Sequence, residues 1–176
     1  MNILLLGIQG SGKSTQGKLL SKKLGVPYLS SGHIFRKIAQ EKTRWGRYVK
    51  VIINAGFLIP DKKVIPIIEE YLSKPEYSHG YILDGFPRTL YQAKNFKGKL
   101  NRVFYIGISD KEALWRLAYR NDVLRGDDNL IAMKKRIEIF RKTTEPVLDF
   151  YRKKGLLKQI NGEQSIKKVH QDILAK

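Results

Sequence analysis

The sequence predicts an α/β fold of three layers, in which a central parallel sheet of about five strands is covered by helices on both faces. The first observation behind this prediction is that short apolar runs alternate with segments of helical periodicity along the chain. The second is that the two sharpest polar features each follow a predicted strand, where parallel sheets bind their ligands. The third is the length, since 176 residues are typical of one domain.

The chain begins with a predicted strand, loop and helix. Residues 3–6 form an apolar run that breaks into glycines, and leucines then recur at helical spacing over residues 13–24. Gly25 follows this periodic segment and a proline lies two residues beyond it, which is the usual pattern at a helix end.

The following segment is predicted to be mostly helical. Ser30 or Ser31 offers an N-cap for one helix, and Asp61 offers an N-cap for another. In order, we expect a strand over 26–29, helices over 33–41 and 43–54, an apolar connection over 55–60, a helix from 61 to about 72 and a loop over 74–80.

The second half of the chain continues the alternation of strands and helices. Its longest periodic segment opens at Asp127, Asp128 and Asn129, and Gly155 ends it. We expect strands over 81–84, 103–108 and 156–160, and helices over 89–96, from 110 to about 118, from 127–129 to about 154, and over 166–174.

The loop after the first strand carries a phosphate-binding motif. Its spacing from Gly7 to Gly12, Lys13 and Ser14 matches G-x-x-x-x-G-K-[ST]. The glycines let backbone N–H groups point inward and form an anion-binding nest at a helix N-terminus. Lys13 is expected to reach the β- and γ-phosphates, and the hydroxyl of Ser14 or Thr15 to face Mg²⁺. The motif therefore predicts a P-loop NTPase-like fold that binds a nucleoside triphosphate.

The third predicted strand ends in a second phosphate-site feature. Asp84 closes an apolar run, which is where P-loop proteins hold Mg²⁺, usually through water. The residues at 85–88 read Gly-Phe-Pro-Arg, so a guanidinium group follows the carboxylate closely in sequence.

The segment LDGFPRTLYQA at 83–93 resembles the signature of adenylate kinases. LSSGHIFR, NAGFLIPDKKVI, RGDDN followed by KKRI, and INGEQSI resemble further segments of the same family. The resemblance implies reversible transfer of the γ-phosphoryl group of MgATP to AMP, which gives two ADP and serves nucleotide biosynthesis. It also implies a cis peptide bond between Phe86 and Pro87.

The same resemblance assigns roles residue by residue. The ATP-binding residues are expected to be Gly10, Ser11, Gly12, Lys13, Ser14, Thr15, Arg116, Arg120 and Gln164. The AMP-binding residues are expected to be Ser31, Arg36, Phe57, Leu58, Ile59, Gly85, Phe86, Pro87, Arg88 and Gln92. The catalytic residues are expected to be Lys13, Arg88, Arg120, Arg125 and Arg136.

This set of residues suits phosphoryl transfer without a general base. The attacking phosphate oxygen is already ionised at neutral pH, so catalysis consists of positioning and charge neutralisation. Arginine is favoured over lysine because its planar group donates two hydrogen bonds to a phosphate. Since transfer to water must be prevented, we expect two parts of one domain over 1–176 to move, namely residues 30–72 and a short lid at 120–127.

Composition limits the remaining possibilities. The chain has no cysteine, which excludes disulfides and Cys-ligated zinc. It shows no signal peptide or membrane span, so we expect a cytoplasmic protein without a membrane partner. The net charge of +18 exceeds the need of a phosphate site and leaves a nucleic-acid partner open, although a solvated lysine-rich surface is the commoner explanation.

Several alternatives stay open from the sequence. A kinase for UMP or CMP, or one of broad specificity, is the nearest, although Gln92 and Thr89 favour AMP. The donor could be GTP, because donor adenine is expected to be contacted mostly through backbone. A P-loop RNA-binding module would fit the charge, but it gives no reason for Gly-Phe-Pro-Arg. Ser14 stands where the family usually has glycine, so whether Ser14 or Thr15 faces the metal is undecided, as is the oligomeric state.

Overall fold

The computed structural model describes residues 1–119 and 130–176. Within this part of the chain, five strands form one sheet. The strands are β1 (Asn2–Leu6), β2 (Tyr28–Ser30), β3 (Tyr81–Asp84), β4 (Arg102–Gly107) and β5 (Leu157–Asn161). Their order across the sheet is β2-β3-β1-β4-β5, and every neighbouring pair is parallel. The predicted parallel sheet is therefore confirmed.

Helices connect these strands, as parallel pairing requires. The described α-helices are α1 (Lys13–Leu24), α2 (Ser31–Ala39), α3 (Arg44–Asn54), α4 (Asp61–Leu72), α5 (Leu90–Asn95), α6 (Asp110–Ala118), α7 (Leu130–Ile139), α8 (Glu145–Lys153) and α9 (Ile166–Leu174). A 3₁₀ turn lies at Pro75–Tyr77, and a π-helical turn at Phe140–Thr144 joins α7 to α8. None of the helices in the described ranges is long and apolar enough to cross a membrane.

The sheet is covered on both faces because side chains along a strand alternate between them. Leu4 and Leu6 of β1 pack in one hydrophobic cluster, which also contains Ile68 of α4. Ile3 and Leu5 pack in the cluster on the other face, with Leu20 of α1 and Val169 of α9. The predicted three-layer arrangement follows from this alternation.

The register of the central strands gathers the phosphate motifs at one edge of the sheet. Asp84, the last residue of β3, pairs with Leu5 near the end of β1 and with Ser30 at the end of β2. The glycine-rich loop leaves β1 immediately after Leu6. The loop, the carboxylate and the start of α2 are therefore neighbours, as expected for the carboxyl ends of parallel strands.

One of the two predicted helix caps is confirmed, because Ser30 accepts a hydrogen bond from the first turn of α2. Thr43 and Thr89 cap α3 and α5 in the same way, although the sequence analysis did not single them out as caps. The predicted capping role of Asp61 is wrong, because Pro60 occupies the cap position and Asp61 is the first residue of α4. Its carboxylate instead accepts hydrogen bonds from another element, as described below.

The longest predicted helix is interrupted. Its predicted opening at Asp127, Asp128 and Asn129 lies outside the described residues. The described part is α-helical, then π-helical, then α-helical again. Pro146 lies in the first turn of α8, where it supplies no N–H for the regular hydrogen-bond pattern. A π-turn absorbs this break without ending the helix.

Candidate active site

A cavity of about 540 Å³ opens at the carboxyl ends of the strands. It contains most of the predicted site residues. Those that line it are Gly10, Ser11, Gly12, Lys13, Ser14, Thr15, Ser31, Arg36, Phe57, Leu58, Ile59, Asp84, Gly85, Pro87, Arg88, Gln92, Arg116, Arg136 and Gln164. Arg120 and Arg125 lie outside the described residues.

Phe86 is the predicted AMP-binding residue that departs from this pattern. Its side chain is fully buried and packs edge-on against Phe96, with ring centroids 5.2 Å apart. Its side chain therefore does not line the cavity, whereas its neighbours Gly85 and Pro87 do, and a contact of Phe86 with AMP stays a prediction. The expected cis peptide bond between Phe86 and Pro87 is confirmed.

The phosphate-binding loop requires glycine at its turns. Gly10 and Gly12 both have φ of 89°, in the left-handed region that other residues avoid. A Cβ atom at Gly10 would also lie 3.0 Å from the carbonyl oxygen of Ala113. The Nζ of Lys13 donates to the carbonyl oxygens of Gly7 and Ile8, each at 2.7 Å. The ammonium group is thereby held at the loop that should receive phosphates.

Asp84 uses its two carboxylate oxygens differently. Oδ2 accepts hydrogen bonds from the hydroxyl of Tyr28 at 2.6 Å and from Ser14 Oγ at 3.2 Å. Oδ1 is buried, and no hydrogen-bond partner for it exists among the described residues. Buried polar atoms are nearly always paired, so Oδ1 retains capacity for a ligand.

A magnesium ion suits this carboxylate. Mg²⁺ is usually bound through one or two carboxylates together with water and substrate phosphates. In the ranges 1–119 and 130–176 there is no group of three or more acidic or histidine side chains that could hold a metal ion by itself. The unpaired Oδ1 of Asp84 therefore fits an ion that arrives with a nucleotide rather than one held in a protein cage.

Ser14 and Thr15 are clearly distinguished by their surroundings. Ser14 is partly buried and donates its hydroxyl proton to Asp84, whereas Thr15 is an exposed residue of α1. Ser14 thus lies beside the candidate metal-binding carboxylate. Both residues line the cavity.

Tyr28 is a site residue that the sequence did not indicate. Burial, and next the negative charge of Asp84, raise the pKa of its hydroxyl well above the usual value, so the group stays a hydrogen-bond donor. Its ring packs so closely on α1 that a Cβ atom at Gly17 would lie 2.3 Å from the ring carbon Cε2. A glycine inside a helix is the signal that could have pointed to a close neighbour.

Arginines converge beside Asp84. Burial lowers the pKa of the Arg88 guanidinium, Asp84 raises it, and the charges of Arg136 and Arg36 lower it further. Arg88 thus feels two further positive charges that line the same cavity, and such a cluster marks a place that a polyanion would neutralise. The Nε of Arg88 also donates to the carbonyl oxygen of Gly85 at 2.6 Å, which fixes the side chain at the end of β3.

Arg136 connects the phosphate-binding loop with α3. One of its terminal nitrogens donates to Oε1 of Gln9 at 2.9 Å, and the other donates to the carbonyl oxygen of Ile53 at 2.8 Å. Its guanidinium group therefore donates hydrogen bonds to two elements that flank the cavity, the phosphate-binding loop and α3.

Gln92 is buried and its amide is fully oriented. Its Nε2 donates to Oδ1 of Asp61 at 2.8 Å, and its Oε1 accepts from the backbone N–H of Arg88 at 2.7 Å. The other oxygen of Asp61 accepts from Thr89 Oγ1 at 2.9 Å. The sequence placed Gln92 at the acceptor base but missed Asp61, because the two residues are far apart along the chain.

Thr144 is a second missed residue and belongs to the π-turn. It is only 3% exposed, and its Oγ1 donates to the carbonyl oxygen of Arg88 at 2.9 Å. Arg88 is thus held through its backbone carbonyl and through its Nε. π-turns are frequent at functional sites, and here the turn places a polar side chain against the main chain of a site residue.

Arg116 and Gln164 line the cavity on the side of β5. Arg116 pairs with Glu112 at 2.6 Å and donates to the carbonyl oxygen of Gly162 at 2.9 Å. Gln164 donates its amide to Asp172 at 2.9 Å. Both side chains are positioned by protein contacts on the side where the sequence predicts the donor base.

Comparisons with known proteins point to one family. A family model described as adenylate kinase matches residues 5–156. The chain is similar to an adenylate kinase of Azobacteroides pseudotrichonymphae, with 38% identity over 184 residues that cover 100% of this chain and 96% of the relative. It is 32% identical to an adenylate kinase of Archaeoglobus fulgidus over 210 residues, which cover 99% and 97%. An adenylate kinase of Bacillus velezensis is 35% identical over 208 residues, covering 98% and 96%.

Proposed function

The chain belongs to the adenylate kinase family, and we propose that its cavity holds ATP and AMP together while a phosphoryl group passes between them. The reaction is the reversible transfer of the γ-phosphoryl group of ATP to AMP, which gives two ADP. One observation carries the assignment of residues: a phosphate-binding loop, a buried carboxylate, converging arginines and an oriented glutamine amide all line one cavity.

The donor end of the cavity is the phosphate-binding loop and its surroundings. Backbone N–H groups from Gly10 to Thr15 bind the triphosphate, and Lys13 turns from its own loop carbonyls to the β- and γ-phosphates. Arg116 and Gln164 border the donor base from the β5 side. Because these contacts are largely to backbone and phosphate, we expect limited discrimination among donor bases.

Magnesium is the proposed cofactor, and Asp84 would hold it through water. Oδ1, which finds no hydrogen-bond partner in the ranges 1–119 and 130–176, supports this role. The position of Ser14 beside the carboxylate supports Ser14 rather than Thr15 as the hydroxyl that faces the ion. When bound, magnesium neutralises charge on the phosphate oxygens. The absence of cysteine from the chain argues against a zinc-binding lid.

The acceptor end is formed by α2, the connection after α3 and the segment after β3. Arg36 and Arg88 bind the phosphate of AMP, and Ser31 lies beside them at the start of α2. The backbone over 57–59 lines the base, and Gln92 binds the base edge. No residue needs to remove a proton, since the attacking phosphate oxygen is ionised.

Transfer itself depends on arginines that neutralise the migrating group. Arg88 and Arg136 carry this role in the described cavity, and Arg120 and Arg125 are proposed to join them. Segment 30–72 and lid 120–127 would close to exclude water. The alignment with the Archaeoglobus protein runs over 210 positions, more than the 176 residues of this chain, so that relative carries residues that this chain lacks, and we propose that the lid is one place where they are missing.

We propose a cytoplasmic location with no membrane partner. The net charge of +18 would reflect a solvated, lysine-rich surface. A kinase for UMP or CMP and a P-loop RNA-binding module are not favoured.

Product analysis tests the proposed function. Purified protein would be incubated with MgATP and, separately, with AMP, CMP or UMP, and the nucleotides separated by chromatography. With AMP, we expect both ATP and AMP to be converted rapidly to ADP. An Arg88→Ala variant purified in parallel serves to exclude a contaminating kinase. Absence of ADP with AMP, together with rapid turnover of CMP or UMP, would contradict the proposal.

A further inference from the structure

The amide of Gln92 has a chemically fixed orientation. A carboxylate only accepts hydrogen bonds, so the Gln92 atom that faces Asp61 at 2.8 Å must be Nε2. A backbone N–H only donates, so the atom that faces Arg88 N at 2.7 Å must be Oε1. The two neighbours select the same orientation independently, and a flipped amide would oppose both of them.

This orientation leaves a defined pair of groups for a ligand. One of the two protons on Nε2 is used by Asp61, and one of the two lone pairs on Oε1 is used by Arg88. A second proton on Nε2 and a second lone pair on Oε1 remain, and the amide that carries them lines the cavity. The side chain therefore presents a donor next to an acceptor, in an order that cannot reverse.

Adenine carries the complementary pattern on one edge. Its N1 accepts a hydrogen bond and its N6 amino group donates one. Hypoxanthine and guanine carry the opposite pattern, with a proton on N1 and an oxygen on C6, and uracil repeats that pattern with N3–H and O4. Cytosine resembles adenine in this respect. The order of donor and acceptor on the Gln92 amide thus distinguishes bases with an amino group from bases with an oxo group. It does not distinguish adenine from cytosine, which differ in ring size.

We propose that Asp61 is a specificity-determining positioning residue, which holds the Gln92 amide in the orientation that accepts a 6-aminopurine monophosphate and rejects a 6-oxopurine one. The proposal rests on the proposed contact between Gln92 and the acceptor base. Asp61 itself does not line the cavity. Its second oxygen accepts from Thr89 at 2.9 Å, which keeps the carboxylate aimed at Gln92.

AMP and IMP are the probes that test it, because hypoxanthine has the size of adenine and the opposite polarity. For the unchanged protein we expect kcat/KM for AMP to exceed that for IMP by on the order of 10³ or more, since buried polar groups would be left mispaired by IMP. Asp61→Leu removes the acceptor and should reduce this ratio at least about tenfold. Asp61→Asn keeps an acceptor oxygen for Nε2 and should retain most of the ratio.

A matched control lies on the same helix. Oε1 of Glu69 accepts from the backbone N–H of Lys97 at 3.1 Å, so Glu69 also ties α4 to the segment around α5, and it does not line the cavity. Glu69→Leu should leave the AMP to IMP ratio unchanged even where it lowers stability. This variant therefore distinguishes the loss of a contact between α4 and the segment around α5 from the loss of the fixed orientation of the Gln92 amide.

The outcomes distinguish the two proposals. The role of Asp61 would be overturned if Asp61→Leu left the AMP to IMP ratio of kcat/KM unchanged, which includes an equal fall of kcat/KM for both substrates. It would also be overturned if Asp61→Asn lowered this ratio as much as Asp61→Leu does. An unchanged ratio in Gln92→Ala would instead remove Gln92 from the base site. Failure of the unchanged protein to form ADP from AMP would overturn the proposed function before the variants are considered.

Discussion

Two carboxylates of the same cavity region are satisfied in different ways. Each oxygen of Asp61 accepts one hydrogen bond from a side chain, so both are used within the protein. Asp84 receives two hydrogen bonds on Oδ2, while Oδ1 finds no partner among the described residues. The distribution of hydrogen bonds therefore separates a carboxylate that positions another side chain from one that is available to a ligand.

Arg88 is the residue that belongs to both regions. Its guanidinium group lies near Asp84, and its backbone N–H orients Gln92, which Asp61 orients from the other side. Changes at the two carboxylates should consequently produce different defects. Loss at Asp84 should affect metal-dependent steps, and loss at Asp61 should affect base selection.

Asp84→Asn should have the largest effect. Tyr28 and Ser14 both donate, so the asparagine oxygen must take the position of Oδ2, and the amide nitrogen then stands where an acceptor is needed. We expect kcat to fall by about 100- to 1000-fold, the range seen when one group that stabilises transition-state charge is removed. Steady-state ADP formation measures this loss. Asp149→Asn, at an exposed carboxylate, is the control. Equal turnover in the Asp84 and Asp149 variants would refute the role of Asp84 in the reaction.

Arg88→Lys should follow in magnitude. A lysine keeps the positive charge but cannot donate two parallel hydrogen bonds, so we expect kcat to fall roughly 100-fold. The backbone N–H that orients Gln92 is unchanged, and the preference for AMP over IMP should persist. Arg152→Lys, at an exposed arginine, controls for the chemical change alone. Near-normal turnover of Arg88→Lys would show that the fork geometry is not needed.

Tyr28→Phe tests one of the two donors on Asp84. Ser14 still donates to Oδ2, so we expect the variant to fold and to bind nucleotide. We expect its magnesium-dependent binding of ATP to be about tenfold weaker, as for other residues that orient a metal-binding group. Calorimetry of ATP binding with magnesium and with a chelator separates this effect from binding of the nucleotide itself. A variant whose magnesium dependence matches the unchanged protein would show that the tyrosine has no part in positioning Asp84.

Thr89→Val makes the corresponding change at Asp61 and should have the smallest effect. The Thr89 oxygen donates to Asp61 and also accepts from the backbone N–H of Gln92, which caps α5. We expect a loss of about 1 kcal/mol in the free energy of unfolding, measured by urea denaturation, with Thr89→Ser close to the unchanged protein. Magnesium dependence should not change, and a shift in it would contradict the separation of the two regions.

Local patterns predicted the fold and the phosphate motifs because their information lies within a few residues. The glycine-rich loop, the strand that ends at Asp84 and the cap at Ser30 all belong to this class. Short-range rules about capping and strand ends suffice for them.

The supporting residues escaped prediction because their partners are distant in sequence. Asp61 and Gln92 are separated by 31 positions, and Tyr28 and Asp84 by 56. A local rule assigned Asp61 to a helix cap, and only the packing of α4 against α5 gives it another partner. The π-turn that carries Thr144 was equally hidden, since its apolar spacing still resembled a continuous helix.

The close fit of Tyr28 against α1 also constrains the order in which substitutions can accumulate. A Cβ atom at position 17 would stand 2.3 Å from the tyrosine ring, so the ring fits only where that position is glycine. If tyrosine appears at position 28 while position 17 is alanine, the intermediate protein contains a steric clash. If glycine appears at position 17 first, the intermediate contains only a helix with a glycine that it does not yet need. The glycine is therefore the permissive change, and the two positions are epistatic rather than independent.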